Sequence, residues 1–170
     1  MTGPATPQMP GDTFRLGMRR LAGAVCLVTA SENGQDAGLV ATAVSSVSAE
    51  PPTLLVCVNR SASAWPVIER SGVFCVSVLG HAALPLVGQF SAPDRRDERF
   101  STGSWQRLGG GTPAPEGALA VFDCAVAQIV PWHSHSIILG AVRGVTLTES
   151  ADAPLLYMDR GFHRLAALPA

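Results

Sequence analysis

The sequence predicts a mainly β protein, an antiparallel barrel with a few short flanking helices, and three observations carry that prediction. Apolar runs of strand length recur along the chain, among them TLLVCVN (53–59), VFCVSVLG (73–80), LAVFDCAVAQIV (119–130) and SIILGAVRGVTLT (136–148). Runs of this kind bounded by Gly, Pro, Asn and Ser read as buried strands. Glu32-Asn33-Gly34 stands between two further runs and is a hairpin signal, because Asn-Gly tolerates the left-handed backbone of a tight turn. Hydrophobic residues make up 47% of the 170 and charged residues 15%, a mixture that suits a barrel whose closure removes exposed strand edges and a face shared between subunits.

The elements follow in order. Residues 1–12, MTGPATPQMPGD, are rich in Pro, Gly and Thr and are expected to form a flexible tail ahead of a single domain over 13–168. Phe14, Met18, Leu21 and Ala22 recur at helical spacing behind Asp12 and Thr13 as N-caps, which predicts a helix over 13–22. AVCLVTAS (24–31), the Asn-Gly turn and LVATAVSSVS (39–48) predict a hairpin, and 53–59 a continuous buried strand. SASAWPVIERSG (61–72) reads as a helix with Pro66 in its first turn and Gly72 as its stop. After the strand at 73–80, HAALPLVGQF (81–90) predicts a short helix. Residues 91–117 are polar and rich in Gly and Pro, a long loop of the kind that covers a site. Strands at 119–130, 136–148, 154–158 and 162–165 complete the pattern.

Several function classes are disfavoured. A formal net charge of -1, with twelve scattered Lys and Arg, offers no field for nucleic acid or anionic lipid. No apolar run reaches the ~18 residues that span a membrane. Cys26, Cys57, Cys75 and Cys124 each sit inside an apolar run without Cys-x-x-Cys or zinc spacing, so they read as buried free thiols. Reduced thiols, and a start without the basic and apolar regions of a signal peptide, predict a cytoplasmic protein. No Gly-x-Gly-x-x-Gly follows a strand, no Walker lysine motif appears, and no Gly-x-Ser-x-Gly elbow supports an acyl-transfer triad. No residue is therefore assigned as acid, base, nucleophile or metal ligand, and the chemistry of an enzyme built this way belongs to a bound cofactor.

Three segments are candidate sites. In Thr42–Ser48 the small side chains let the backbone approach an aromatic ring system, and Ser45 and Ser46 offer hydroxyls to ring carbonyls or phosphate oxygens. Taken singly, each of these serines is more simply a solvent-facing strand hydroxyl. In Cys57–Ser63 a strand end opens a helix, so Arg60 and Ser63 make a candidate phosphate cradle; the plainer reading is a capped helix and a surface Arg. WHSHSIILGAV (132–142) puts two histidines at the start of a strand, with no further ligand at metal spacing.

The order of these parts resembles the short-chain flavin reductases. Members carry Gly-x-x-x-Thr-Ala-x-Ser-Ser-x-Ser-x-x-Pro-Pro, matched here by Gly38 to Pro52, and Gly-Asp-His before an aliphatic strand ending in Gly-x-Val, matched by His135 and 137–142. His133 and Ser134 stand where Gly and Asp are usual. LVGQFSAPDRRDERFSTGSW (86–105), with Phe90, Ser91, Phe100 and Trp105 in place, and PLLYMDRGFHRL (154–165) extend the likeness to roughly residues 14–165.

The resemblance implies an FMN-binding split barrel, an antiparallel β-barrel that usually forms a homodimer with flavin near the subunit interface. The implied activity is reduction of free FAD or FMN by NADH or NADPH, NADH being favoured, with reduced flavin supplied to a separate monooxygenase. It implies that Thr42, Ala43, Val44, Ser45, Ser46 and Ser48 surround the isoalloxazine or phosphate. Cys57, Val58, Asn59, Arg60 and Ser63 would meet the ribityl and phosphate side, and Phe90 with Ser91 the covering loop. His135, Tyr157 and Arg160 would sit near the nicotinamide nucleotide. Two other readings share this fold: a flavoprotein that retains its flavin and acts on another substrate, and a non-catalytic flavin carrier or sensor.

Overall fold

The computed structural model describes residues 10–92, 94–149 and 152–167, so residues 1–9 of the expected tail, and residue 168, lie outside the described residues. Helix α1 (Gly11–Met18) begins earlier and ends sooner than the 13–22 expected. Pro10, and neither Asp12 nor Thr13, stands at its N-cap, and none of its residues is buried. Beyond Met18 the helical ladder gives way to tight turns from Arg20 N–H to the Gly17 carbonyl and from Leu21 N–H to the Met18 carbonyl.

Strands β1 (Gly23–Ala24), β2 (Cys26–Glu32) and β3 (Gln35–Ala41) follow. Asn33 and Gly34, at φ 51° and 81°, make the predicted hairpin turn, and Glu32 pairs with Gln35 across it. The single strand expected over 39–48 is two strands. β3 ends at Ala41, Thr42 and Ala43 break the run, and β4 spans Val44–Ala49. A cis Glu50-Pro51 bond leads to β5 (Pro52–Asn59). Next come α2 (Trp65–Ser71), stopped by Gly72 in the left-handed region, β6 (Val73–Val78) and α3 (Leu84–Ser91). The long segment after α3 folds a 3-10 turn (Arg96–Glu98) and a two-stranded ribbon, β7 (Trp105–Arg107) with β8 (Pro113–Pro115). A long hairpin, β9 (Ala120–Trp132) and β10 (His135–Leu147), precedes the short β11 (Leu156–Met158) and β12 (Gly161–His163).

Seven strands form one sheet in the order β3-β2-β6-β9-β10-β5-β4, every pair antiparallel. Its two edge strands, β3 and β4, are joined by Thr42 and Ala43 alone. The three Cα steps from Ala41 to Val44 span at most ~11 Å, so the sheet must curl until these edges come close together. No ladder joins β3 to β4 among the described residues, which leaves a split at that seam.

Alternation then sorts the side chains. Val28, Ala30, Val56, Val58, Phe74, Val76 and Ile138 point into the barrel, and Trp65, Val67 and Ile68 of α2 plug it. Burial of each large apolar side chain contributes roughly 1.5–3 kcal/mol. β2 is covered on both faces, because Leu27 and Val25 pack outward against Val87 and Phe90 of α3. Two glycines are required by close approach. A Cβ at Gly140 would stand 2.5 Å from Phe74 Cζ, and one at Gly38 would stand 2.6 Å from Phe90 Cε1. Outside the barrel, β1, β11 and β12 form a small three-stranded sheet in the order β1-β11-β12.

Candidate functional site

The break between β3 and β4 organises the site. Thr42 and Ala43 are exposed, and the Ala43 carbonyl accepts a 3.0 Å hydrogen bond from Cys57 N–H, which ties the break to β5. In the small sheet Gly23 is registered with Tyr157. A Cβ at Gly23 would stand 3.0 Å from Thr42 Cβ, so the absent side chain lets Thr42 settle beside the strand that carries Tyr157. The turn from β11 to β12 holds Asp159 and Arg160 at φ 47° and 67°, a backbone region that non-glycine residues seldom occupy.

Two clefts meet along this line, and Thr42, Tyr157 and Arg160 line both. The first, about 790 Å³, is walled by Phe14, Met18 and Leu21 from the N-terminal segment and by Ala43, Val44 and Ser45, with Leu55 of β5 beneath. The second, about 700 Å³, runs over Val40, Val87 and Ser91. Both lie in the size range of small-molecule and cofactor sites. Arg19 and Arg160 line the first cleft with one carboxylate, Asp159, while Arg15, also at its wall, is ion-paired with Asp12 at 2.5 Å; the small positive excess suits an anionic ligand.

Other expected residues lie elsewhere on the barrel. Ser46 and Ser48 continue β4; Ser48 Oγ donates to the Glu50 carbonyl and accepts from Glu50 N–H, at 3.0 and 3.1 Å. Cys57 faces outward along β5, on the side of Leu55, whereas Val58 points into the barrel and is fully buried. Only the backbone of Val58 is left to meet a ligand. Asn59 Oδ1 accepts from Ser61 N–H and Oγ, both at 2.9 Å. Arg60 donates from Nη2 to the His133 carbonyl at 2.7 Å and from its N–H to the Ser134 carbonyl at 2.9 Å, so it clasps the β9–β10 turn. His135 is exposed, pairs with Asn59 in the strand register, and has Ser134 Oγ 2.9 Å from its Nδ1. It lines neither cleft, so the structure groups Tyr157 and Arg160 with Thr42 and leaves His135 with Asn59 and Arg60.

The covering-loop expectation needs correction at Phe90. Its ring is 3% exposed and packs in an aromatic cluster, 5.1 Å from Phe100 and 5.9 Å from Trp105, because α3 turns it inward against Leu27. Ser91, the last residue of α3, does reach the second cleft. The segment beyond it is bound to β3 instead of closing over Thr42: Arg107 grips Asp36 through two bonds of 2.6 and 2.5 Å.

One residue escaped the sequence reading. Arg99 is 9% exposed and donates from Nη1 to the Gly38 carbonyl at 3.0 Å and to Ser63 Oγ at 3.2 Å. Among the described residues its Nε has no hydrogen-bond partner, and no carboxylate pairs with it. Burial, and secondarily the charge of Arg96, lowers its pKa. An arginine in a polar loop gives no sign in sequence that it will be buried.

Comparisons with known proteins agree with this architecture. The family model of the flavin reductase like domain matches residues 18–166. The chain is 40% identical to RutF of Variovorax paradoxus (strain S110), named an FMN reductase (NADH), over 99% of this chain and 93% of that protein. Among solved structures it is similar to the NADH:FAD oxidoreductase SgcE6 of Streptomyces globisporus C-1027, with a TM-score of 0.84, 27% identity, and coverage of 100% of this chain and 97% of that one. It is also similar to BorF, the flavin reductase component of a bacterial two-component tryptophan halogenase, with a TM-score of 0.84, 26% identity, and coverage of 94% and 100%.

Proposed function

The chain belongs to the flavin reductase like domain family, and from that premise we propose that it is an NADH-dependent flavin reductase that reduces free flavin for a separate flavin-dependent enzyme. The observation that carries this reading is the 40% identity, over 99% of the chain, with an FMN reductase that uses NADH. FMN is the favoured flavin, because the FMN-named relative shares 40% of its residues with this chain and the FAD-named one 27%. The partner is a flavin-dependent oxygenase or halogenase, in line with the pairing in BorF's description.

Flavin, when bound, supplies the ring that accepts hydride, so the protein needs neither a strong acid nor a nucleophile. Its own residues orient, desolvate and bind. Thr42 and Ala43 present small side chains and exposed backbone against which a flat ring can lie, and Val44 to Ser46 continue that wall. Cys57, Asn59, Arg60 and Ser63 extend it toward the ribityl and phosphate groups, and Ser91 borders the second cleft. Tyr157 on β11 and Arg160 in the β11–β12 turn serve the nicotinamide nucleotide, and His135 does so from the start of β10, beside the end of β5. The guanidinium groups of Arg19 and Arg160, neither of them in a described ion pair, draw in the anionic dinucleotide.

The protein acts as a homodimer in the cytoplasm. What supports the dimer is the apolar surface that α1 and its neighbours leave open: Phe14, Leu16, Met18 and Leu21 are 48–66% exposed, more than a lone helix of this length keeps in water. Four free cysteines suit a reducing compartment. The test of function is oxidation of NADH and NADPH by purified protein without flavin, with FMN and with FAD in excess. Turnover over many equivalents of added flavin, faster with NADH, is expected; flavin that stays bound without turnover would replace the reductase with a carrier. Light scattering on the same sample reads the oligomeric state, and a monomer at micromolar concentration would remove the dimer.

A further inference from the structure

The segment 91–117, whose Gly- and Pro-rich sequence marks it as a cover, does cover a cavity, but one behind α3. Part of it, Thr102 to Trp105 with Pro115 and Glu116, closes a third cleft of about 390 Å³ against Pro85, Leu86 and Gln89 of α3. Helical geometry separates this cleft from the other two. Leu84, Val87, Gly88 and Ser91 form the stripe of α3 that lines the second cleft, and Pro85, Leu86 and Gln89 lie on the opposite stripe. The third cleft shares no lining residue with either of the others.

Its chemistry is one-sided. The buried part of the lining, Leu79, Pro115 and Ala118, is apolar. Polar groups at the rim are spent on one another: Thr102 Oγ1 donates to Gln89 Oε1 at 2.6 Å, Gln89 Nε2 to the Glu98 carbonyl, and Trp105 Nε1 to the Thr102 carbonyl at 2.9 Å. The Glu116 N–H donates to the Ser104 carbonyl at 2.9 Å, which fixes the backbone of Glu116 at the exposed edge. These bonds hold the rim without a ligand, so the cleft is pre-formed and of the size that takes small molecules. What is left over is a charge. Glu116 is the one charged residue of the lining, and among the described residues its carboxylate enters no ion pair and no hydrogen bond.

A carboxylate recognises an ammonium group through charge-assisted hydrogen bonds, and the indole of Trp105 adds an aromatic ring of the kind that attracts a cation to its face. An anionic ligand would be repelled. We propose that this third cleft is a second small-molecule site, for a primary ammonium compound with a compact apolar body. The body fills the space between α3 and Leu79, and the ammonium meets Glu116. Neither flavin nor nicotinamide enters this proposal, so it stands apart from the reductase reading.

The probe is phenethylammonium, with phenethyl alcohol as the neutral control and hydrocinnamate as the anionic one. Each is titrated into isotope-labelled full-length protein without flavin or NADH, and the indole N–H resonance of Trp105 is followed. That signal should move, and those of Trp65 and Trp132, which lie outside the lining, should not. The ammonium should bind with a dissociation constant of about 1 mM or tighter, and the alcohol about threefold to tenfold more weakly. Hydrocinnamate should bind more weakly still. Glu116→Gln, at an exposed position, should lower the ammonium to the level of the alcohol and leave the alcohol within about twofold. Ala82→Phe, exposed in the lining, should fill the cleft and block the ammonium and the alcohol together. Saturating FMN should leave the ammonium in place. No shift at ~10 mM ammonium, equal binding of ammonium and alcohol, or unchanged affinity in Glu116→Gln would each overturn the proposal. So would displacement by FMN or undiminished binding to Ala82→Phe, which would put the probe elsewhere. Should Ala82→Phe unfold, the Glu116→Gln comparison and the FMN competition decide.

Discussion

Gly23 is registered opposite Tyr157, and the space its missing side chain leaves is the space against which Thr42 rests, with only 3.0 Å between a would-be Cβ and Thr42 Cβ. Gly23→Ala should push Thr42 away from Tyr157 and weaken flavin binding on the order of tenfold, about 1.4 kcal/mol, with little change in melting temperature. Fluorescence titration beside a thermal melt checks it; unchanged affinity would show that Thr42 has room to move.

His135 is exposed, and among the described residues its Nδ1 meets the neighbouring Ser134, so its side chain contributes little to the fold. His135→Ala should raise KM for NADH several-fold, on the order of 1 kcal/mol, and leave flavin affinity unchanged. Steady-state kinetics with each substrate varied in turn reads this split. Equal loss of flavin binding would move His135 to the flavin side of the site.

Gly140→Ala would set a methyl group 2.5 Å from Phe74 Cζ and 3.2 Å from Cys124 Cβ, at a bulge in the central hairpin. Overpacking of this kind costs about 1–3 kcal/mol, so the urea midpoint should fall. KM for flavin should not change, because neither cleft includes Gly140 or Phe74.

Burial raises the thiols of Cys26 and Cys75 to about 11 and that of Cys124 to about 12, against 9.0 for a free thiol. The unfolded chain therefore releases these protons near pH 9 while the folded chain keeps them. Stability should be constant below pH 9 and fall as pH rises toward 11–12, by up to ~1.4 kcal/mol per pH unit for each thiol. Denaturant melts between pH 8 and 11 test the sign. In native protein at pH 8 a thiol reagent should label the half-buried Cys57 and leave the other three until unfolding.

How far the sequence could be read depended on whether a local signal existed. Asn33-Gly34 carries its own backbone preference, and the apolar runs of β5, β6, β9 and β10 announce buried strands, so the barrel and its ring-site segment were visible. The break at Thr42-Ala43 was not, since hydrophobic alternation runs through 39–48 without a glycine or proline to mark it. Only the tertiary requirement that β3 and β4 occupy opposite edges cuts the strand there. The segment at 91–117 hid a ribbon because Pro113 and Pro115 argue against a strand, yet an edge ribbon one partner wide tolerates them. Phe90 read as part of a covering loop because a motif gives residue order and not side-chain direction. Arg99 and the cleft face of α1 were missed for a related reason: burial of a charge, and exposure of a helix that no core holds, are properties of the assembled fold.

The two-residue link between the sheet edges ties recognition to the folding transition. Its flanking strands are the first and last in a ladder of seven, so their separation is fixed only after every intervening pair has formed. A half-folded chain would have no partial version of this site. Ligand captured at the seam is therefore bound by the closed barrel alone, and each increment of occupancy is drawn wholly from the native population. In a cell rich in flavin, such a protein would resist proteolysis more strongly the more of its substrate it holds.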